Sequence, residues 1–317
     1  MLVRQADGKG IVMRPDGLRA ATAAQAATRS AKLATRLSPG EKHGRKRMAE
    51  IVAVCDHKPT PRTVEDIIPA PRRPRPPQQP APRPAPPPAP VTTGKWLTAS
   101  VTDDIPAVIA AMFAEAERRD PHHERTWIAL VDGNRQQIDA IRDQATTRGA
   151  SVRILVDFVH VLEYVWKAAW TFFYPGDPDA ETWVADHART ILTGRAIDAA
   201  TTINHQADTG GFSGSERKGA DDAVAYLTNK APYLDYATAL ERGWPIATGV
   251  IEGACRYLVK DRMDITGARW SLPGAEAILK LRALITNGHF DEYWNWHQHQ
   301  QQRRNHLNRY KTLDLAA

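Results

Sequence analysis

Apolar positions along the chain fall into short runs of strand length and longer stretches with helical spacing. Continuous apolar runs at 126–131 and Val152–Val156 have the length of strands buried on both faces. Helical spacing predicts helices over Ile105–Arg119 and over Arg135–Arg148, the second one stopped by Gly149. Helices alternating with buried strands are typical of an α/β protein whose sheet is covered by helices.

Three further strands are predicted in the N-terminal part. Residues 2–3 and 11–13 flank the segment 7–10 (DGKG), whose glycines suit a tight hairpin. Residues 46–55 have the composition of a third strand, and residues 18–38 indicate either a helix or a flexible excursion. Hairpin-joined strands followed by strands with helical crossovers predict a mixed sheet of five strands.

The C-terminal half is predicted to be mainly helical. Residues 161–244 contain more helix than one crossover between strands requires, so we expect an inserted helical domain there. Two more helices are expected at 249–263 and 273–287, before a tail at 293–310 that is polar, aromatic and rich in Gln, His and Arg. The helices expected inside the insertion cover 162–173, 180–192, 196–205 and 220–230.

The distribution of charge changes this picture more than the net charge of +6 does. Residues 1–96 carry 18 Lys and Arg against 7 Asp and Glu, whereas residues 97–317 carry 24 against 29. A concentrated cationic segment attracts polyphosphate backbones, although a solvated basic tail without a partner is an equal alternative. Residues 69–90 contain 12 prolines and four arginines in 22 positions, which predicts an extended basic linker.

Several classes of function are disfavoured by the sequence. It contains no apolar stretch long enough to span a membrane and no signal peptide, so we expect a protein of the reducing cytoplasm without membrane contacts. Cys55 and Cys255 do not have the spacing of paired metal ligands. A glycine-rich phosphate loop is also missing, which argues against ATP-driven chemistry.

Three acidic residues are candidates for chemistry, and each has a simpler alternative. Asp132 follows a buried strand, where α/β folds place ligands, but Asp is also a favoured N-cap residue. Asp7 is expected at the end of the first strand, with an Asp-Gly turn like that of Asp16 as the alternative. Glu252 lies in the first turns of a predicted helix, where the dipole favours acids, but its small and apolar neighbours favour a shielded cleft.

The interpretation of these acids as a functional site is stronger when all three are considered together. Two acids at adjacent strand ends and a third on a late helix can converge at one sheet edge, where they repel each other unless a cation lies between them. Carboxylate oxygens suit Mg²⁺ or Mn²⁺, and two such ions about 4 Å apart support phosphodiester transfer. Asp157 and His160 follow the last strand and could hold metal or phosphate, or simply form a structural hydrogen bond.

With these acids and the segments around them, the chain resembles the ISKra-type insertion-sequence transposases, which are DDE enzymes related to the Mutator-like group. The resemblance covers nearly the whole chain except the proline linker, and its last segment is the most specific. It implies an RNase H-like core interrupted by a helical insertion, with Asp7, Asp132 and Glu252 as first, second and third catalytic acids holding two Mg²⁺ or Mn²⁺ ions. The segments that carry the resemblance are 6–10 (ADGKG), 130–134 (LVDGN), 157–164 (DFVHVLEY) and 249–270 (GVIEGACRYLVKDRMDITGARW).

The resemblance also assigns supporting roles. Asp157 and His160 match an Asp-x-x-His element that would hold the site or the scissile strand without being primary ligands. Trp270 would either stack on a splayed base or pack as an ordinary aromatic. The implied partners are insertion-sequence ends, target DNA and further copies of the chain, at the bacterial nucleoid. The expected phosphate contacts are Arg256, Lys260, Arg262 and Arg269.

The resemblance leaves open whether the whole chain is an active enzyme. Relatives carry a DNA-recognition segment before the first acid, whereas only six residues precede Asp7, so we expect an N-terminally truncated form. Such a form is either an active transposase or an inactive fragment that binds DNA or transposase subunits, and a plain nuclease is the third possibility. The expected organisation is a core in three parts (1–68, 95–160 and 245–317), a linker (69–94) and a helical insertion (161–244).

Overall fold

The computed structural model describes residues 1–28, 45–69, 91–265 and 267–307. These residues form an α/β fold in which helices flank one mixed five-stranded sheet, as the sequence predicts. The strands lie in the spatial order β3-β2-β1-β4-β5. They are β1 (Leu2–Met13), β2 (Arg45–His57), β3 (Thr92–Ser100), β4 (Trp127–Val131) and β5 (Val152–Val156).

The helices agree closely with the predicted ones wherever the sequence pattern was strong. Helix α3 and helix α4 have the predicted bounds, and α4 ends where Gly149 adopts a φ of 62°. None of the helices in the described ranges is long and apolar enough to cross a bilayer. The helices are α1 (Ala20–Ala27), α2 (Val64–Ile67), α3 (Ile105–Arg119), α4 (Arg135–Arg148), α5 (Phe158–Phe172), α6 (Pro178–Leu192), α7 (Ala196–Thr209), α8 (Gly214–Lys230), α9 (Tyr236–Glu241), α10 (Gly249–Ala254), α11 (Asp261–Met263), α12 (Leu272–Thr286) and α13 (Phe290–Gln302).

Parallel pairing in the middle of the sheet fixes which strand ends are neighbours. β1 runs parallel to β4 with Ala6 opposite Val131, and β4 runs parallel to β5 with Val131 opposite Val156. All five residues of β4 are buried, as expected for a strand covered on both faces. At the other end of β1, Met1 and His57 exchange two backbone hydrogen bonds, the pattern of an antiparallel pair.

Two predictions for the N-terminal strands were wrong. The segment 7–10 does not turn, because β1 is one continuous strand of 12 residues, and neither Gly8 nor Gly10 has a positive φ. These glycines leave room for β2 instead: a Cβ at Gly8 would lie 3.1 Å from Met48, and one at Gly10 would lie 2.9 Å from Lys46.

The third strand of the sheet is also not where the sequence analysis expected it. Residues 46–55 form β2, so the described residues before position 69 supply two strands of the sheet, and the third is β3 at Thr92–Ser100. The first part of the expected excursion at 18–38 is helix α1, whereas 29–44 lie outside the described residues. Most of the predicted linker, residues 70–90, lies outside them as well.

The chain divides into two compact units, each with its own buried apolar residues. The first unit comprises Met1–Ala6, Val54–Gly94 and Ile109–Val250, with a core that includes Phe113 and Trp127. The second unit comprises the stretches Asp7–Ala53, Lys95–Val108 and Ile251–Ala317. Its buried apolar residues include Ile11, Ile51, Leu97, Leu258 and Leu279.

Asp120 is a buried acid on which the core of the first unit depends. Its carboxylate accepts hydrogen bonds from the indole N–H of Trp127 at 2.6 Å and from the backbone N–H groups of Glu124 and Arg125, each at 3.0 Å. Burial raises the pKa of Asp120, but these hydrogen bonds outweigh burial, so its pKa lies below the usual range. A carboxylate that is 5% exposed therefore stays charged because three donors surround it.

We expect Asp120→Ala to lower the free energy of unfolding by about 3 kcal/mol at pH 7, because three buried donors lose their acceptor. Since the pKa is depressed in the folded state, this contribution is present above about pH 4 and is lost as the pH falls through the folded pKa. Urea denaturation at pH 7 and pH 3 would measure both effects. Asp143→Ala, on an exposed face of α4, is the control and should change stability by less than about 0.5 kcal/mol. Equal losses in the two variants would contradict the prediction.

Candidate active site

In the first unit, two of the predicted site acids follow neighbouring strand ends. Asp132 comes directly after β4 and Asp157 directly after β5, and the backbone N–H of Asp157 donates to the carbonyl of Val131 at 2.8 Å. Asp132 is half-buried, and one of its carboxylate oxygens accepts from the backbone N–H of Asn134 at 2.8 Å. The alternative role of Asp132 as a helix cap was wrong, because Asn134 is the N-cap of α4.

The backbone of Asp132 is fixed by a tyrosine that the sequence analysis did not consider. The hydroxyl of Tyr226 donates to the carbonyl oxygen of Asp132 at 3.0 Å, and burial raises the pKa of Tyr226, so this hydroxyl remains a donor. The ring of Tyr226 stacks on Tyr164 with centroids 3.8 Å apart. Gly133 has a φ of 95°, and a Cβ there would lie 2.8 Å from the Tyr226 hydroxyl. The turn after β4 therefore requires glycine.

Asp157 and His160 have separate partners within the first unit. Asp157 is 8% exposed and is the N-cap of α5, accepting from the backbone N–H of Val159 at 2.7 Å. Its other oxygen accepts from the backbone N–H of Thr248 at 3.0 Å and from the Thr248 hydroxyl. The Nδ1 atom of His160 lies 3.2 Å from the carboxylate of Glu163. These contacts give Asp157 a structural role at the start of α5.

In the second unit, the structure places the first predicted acid against the helical segment that carries the third. Asp7 lies inside β1 rather than at its end, and it is half-buried. One carboxylate oxygen accepts from the backbone N–H of Gly8 at 2.6 Å, and the other accepts from the Cys255 thiol at 3.2 Å. Cys255 comes three residues after Glu252 in the same helical segment, but its side chain is buried whereas that of Glu252 is exposed. Asp7 therefore lies beside the helix that carries Glu252.

Asp7 and Cys255 lie in surroundings that combine burial with negative charge. Burial, followed by the charge of Asp7, raises the pKa of the Cys255 thiol, so the thiol is a neutral donor. Glu50 on β2 is buried and adds to the same effect. Glu252, in contrast, is exposed, and the expectation that its apolar neighbours would shield it was wrong. Those neighbours point into the core: Ile251 and Ala254 are buried, which leaves Glu252 on the outer face.

The helix that carries Glu252 is irregular. Its predicted extent over 249–263 is confirmed, but it is built from α10, a π-helical stretch at Cys255–Lys260, and α11. π-Helical turns are rare and occur frequently at functional sites. The wider turn begins at Cys255, the residue that contacts Asp7.

The residues predicted to contact phosphates form an exposed basic group in the second unit. Arg256 pairs loosely with Asp261 at 3.8 Å. Trp270 is half-buried: its indole N–H donates to the carbonyl of Met263 at 3.1 Å, and its backbone bonds to β1 through Val12. Trp270 thus has a packing role in the described residues, and base stacking remains a prediction. The exposed cations are Arg256, Lys260, Arg262 and Arg269.

The donor chemistry of the predicted acids fits a hard divalent cation. Asp7, Asp132 and Glu252 offer carboxylate oxygens, the ligands that Mg²⁺ and Mn²⁺ prefer. Within the described ranges, no set of three or more His, Cys, Asp or Glu side chains is already arranged around one point.

The sequence contained partial signals for the residues that were missed. Glu50 is an acid inside an apolar run, and Cys255 follows Glu252 by one helical turn. Tyr226 and Thr248 have no local signal, because their partners Asp132 and Asp157 lie 94 and 91 positions away.

Comparisons with protein families, with characterised proteins and with solved structures found no match to this chain.

Proposed function

We propose that this chain is the catalytic part of a DDE-type DNA transposase that hydrolyses and transfers phosphodiester bonds at insertion-sequence ends. The observation that carries the proposal is the contact between Asp7 and Cys255, residues 248 positions apart in the sequence. It brings the helix of Glu252 beside the first acid, which is the juxtaposition that a shared metal site requires. The alternative role of Asp7, as the first residue of an Asp-Gly turn, would not require a contact with Cys255.

The residues of the proposed site have separable tasks. Asp7, Asp132 and Glu252 would hold two Mg²⁺ or Mn²⁺ ions through their carboxylates. When bound, such ions activate the attacking oxygen and stabilise the leaving 3′ oxygen. The Tyr226 hydroxyl holds the backbone of Asp132, and Asp157 ties the loop at Thr248 to the start of α5.

The exposed cations after Glu252 would bind the DNA backbone. Arg256, Lys260, Arg262 and Arg269 follow within 17 residues of Glu252, and their exposed side chains suit sequence-independent contacts with phosphates. In this proposal the sheet is the RNase H-like core and the helices from α5 to α9 are the insertion. Pairing of two DNA ends would require further copies of the chain.

Iron-directed cleavage of the protein tests the metal site without requiring catalysis. Fe²⁺ bound in place of Mg²⁺ generates hydroxyl radicals with ascorbate and peroxide, and these radicals cut the backbone next to the ion. We expect cuts near positions 7, 132 and 252, suppressed by excess Mg²⁺ and lost in Asp132→Asn. Asp16→Asn is a matched control, because Asp16 is an exposed Asp-Gly acid in the same unit as Asp7. Scattered cuts that Mg²⁺ does not suppress would overturn the proposal and favour an inactive DNA-binding fragment.

A further inference from the structure

Helix α13 is an aromatic helix without a buried side chain among its 13 residues. Trp294 is 47% exposed and Trp296 is 56% exposed, although tryptophan is usually well buried. Their rings lie in a chain of neighbours: Trp294 is 5.5 Å from His297, and Trp296 is 6.0 Å from Tyr293. The helix therefore presents flat aromatic faces to its surroundings.

One side of α13 forms an open groove of about 450 Å³. Its lining combines an indole, an imidazole and several carboxamides, and none of the lining residues that the structure describes is an acid, a lysine or an arginine. Carboxamides both donate and accept hydrogen bonds, which suits the edges of unpaired bases. The lining residues are Trp294, His297, Gln298, Gln301, Gln302 and Asn305.

The two acids of α13, Asp291 and Glu292, lie in its first turn, and the charge further along the helix is positive. The sequence contains no Asp or Glu from Tyr293 to Leu313. Arg303 and Arg304 continue the helix directly after α13, and both side chains are exposed. Proteins that bind single-stranded nucleic acids combine aromatic side chains, on which bases stack, with positive charges that attract the phosphate backbone. The exposed rings of α13 and the arginines that follow it provide the same combination.

A second copy of the chain fits this surface less well. Helices that pair with each other need apolar residues along one stripe, at spacings of three and four. The corresponding row on α13 is Phe290, Trp294, His297, Gln298 and Gln301, in which the apolar positions are confined to the first two. The row is too polar to drive helix pairing but suits hydrogen bonding to bases.

We propose that α13, with the two arginines that follow it, binds single-stranded DNA, with bases stacked on Trp294 and Trp296 and phosphates near Arg303 and Arg304. This binding element adds to the proposed function and does not depend on the metal chemistry. It would receive unpaired nucleotides next to a cut or melted DNA end.

Fluorescence anisotropy with a labelled 20-nucleotide oligo(dT) and the full chain tests the proposal. We expect Trp294→Ala and Trp296→Ala each to weaken binding about tenfold, and Trp294→Phe to retain most of it. Replacing Arg303 and Arg304 by Gln should reduce the salt dependence by about 0.7 per arginine in a plot of log K against log salt concentration. Trp170→Ala is the matched control, since Trp170 on α5 is also 47% exposed, and it should bind like the parent.

The binding experiment can fail or succeed independently of the proposed transposase activity. Asp132→Asn should bind the oligonucleotide like the parent whether or not the chain is a transposase. Equal binding by Trp294→Ala and the parent, or an equal effect of Trp294→Ala on duplex and single strands, would overturn the proposal. A parent that dimerises in light scattering while Trp294→Ala does not would assign the surface to a second copy instead.

Discussion

Replacing Asp132 by Asn is expected to slow metal-dependent nicking of DNA by at least about a hundredfold. The substitution keeps the size of the side chain and the hydrogen bond from Asn134, but it removes the negative charge that would bind the ion. Loss of about 3 kcal/mol of charge stabilisation corresponds to this reduction in rate. Glu252→Gln should have the same effect at little cost in stability, because Glu252 is exposed. Conversion of supercoiled plasmid to open circles with Mg²⁺ or Mn²⁺ is the measurement.

Asp16→Asn is the control for this experiment, because it removes an exposed acid of a different Asp-Gly pair, in the unit that contains Glu252, and should nick DNA like the parent. Nicking that is unchanged in both Asp132→Asn and Glu252→Gln would contradict the proposed acids. The products separate the remaining alternatives. Joining of 3′-OH ends to target DNA indicates a transposase, and hydrolysis without joining indicates a plain nuclease.

Helices and central strands were predictable because their signals are local. The apolar spacing of Ile105–Arg119 lies within 15 residues, and the end of α4 is set by Gly149, the next residue along the chain. The apolar run of β4 likewise contains the information that it is buried on both faces. The same prediction for β5 was wrong, because β5 is an edge strand in which Arg153 is exposed and only Leu155 and Val156 are buried. Positions and types of these elements therefore followed from neighbouring residues alone.

The N-terminal strands were harder to predict, because their shape depends on distant partners. Glycine at positions 8 and 10 suits a turn as well as a strand, and the choice is made by Lys46 and Met48 on β2, which fill the space above the glycines. β3 was missed for a related reason. Its sequence contains threonines, a glycine and only a short apolar stretch at Trp96–Leu97, so pairing with β2, and not the local pattern, defines the strand.

The candidate site was predictable in its acids but not in the groups that hold them. Asp132 and Asp157 were visible because each follows an apolar strand. The thiol beside Asp7 and the hydroxyl on the backbone of Asp132 come from residues 248 and 94 positions away, so that only the folded chain brings them together. The exposure of Glu252 was mispredicted because its small neighbours face the core on the opposite side of the helix.

Asp157→Ala is expected to lower the free energy of unfolding by about 3 kcal/mol. Asp157 is almost fully buried, caps α5 and accepts two hydrogen bonds from Thr248, so the variant loses a helix cap and leaves buried donors without an acceptor. Asp177→Ala is a matched control, because Asp177 caps α6 through one bond of 3.0 Å and should cost about 1 kcal/mol. The difference between the two variants measures the link to Thr248 by urea denaturation. Equal losses would show that this link contributes nothing.

Asp157→Asn separates the structural role of this residue from a role in holding metal. The amide retains one acceptor oxygen and should lose less stability than Asp157→Ala, while its lower affinity for cations would abolish a ligand role. If Asp157 acts by fixing the loop at Thr248 and the start of α5, Asp157→Asn should retain most of the nicking activity under conditions where it is folded. A folded Asp157→Asn as inactive as Asp132→Asn would make Asp157 a fourth acid of the metal site.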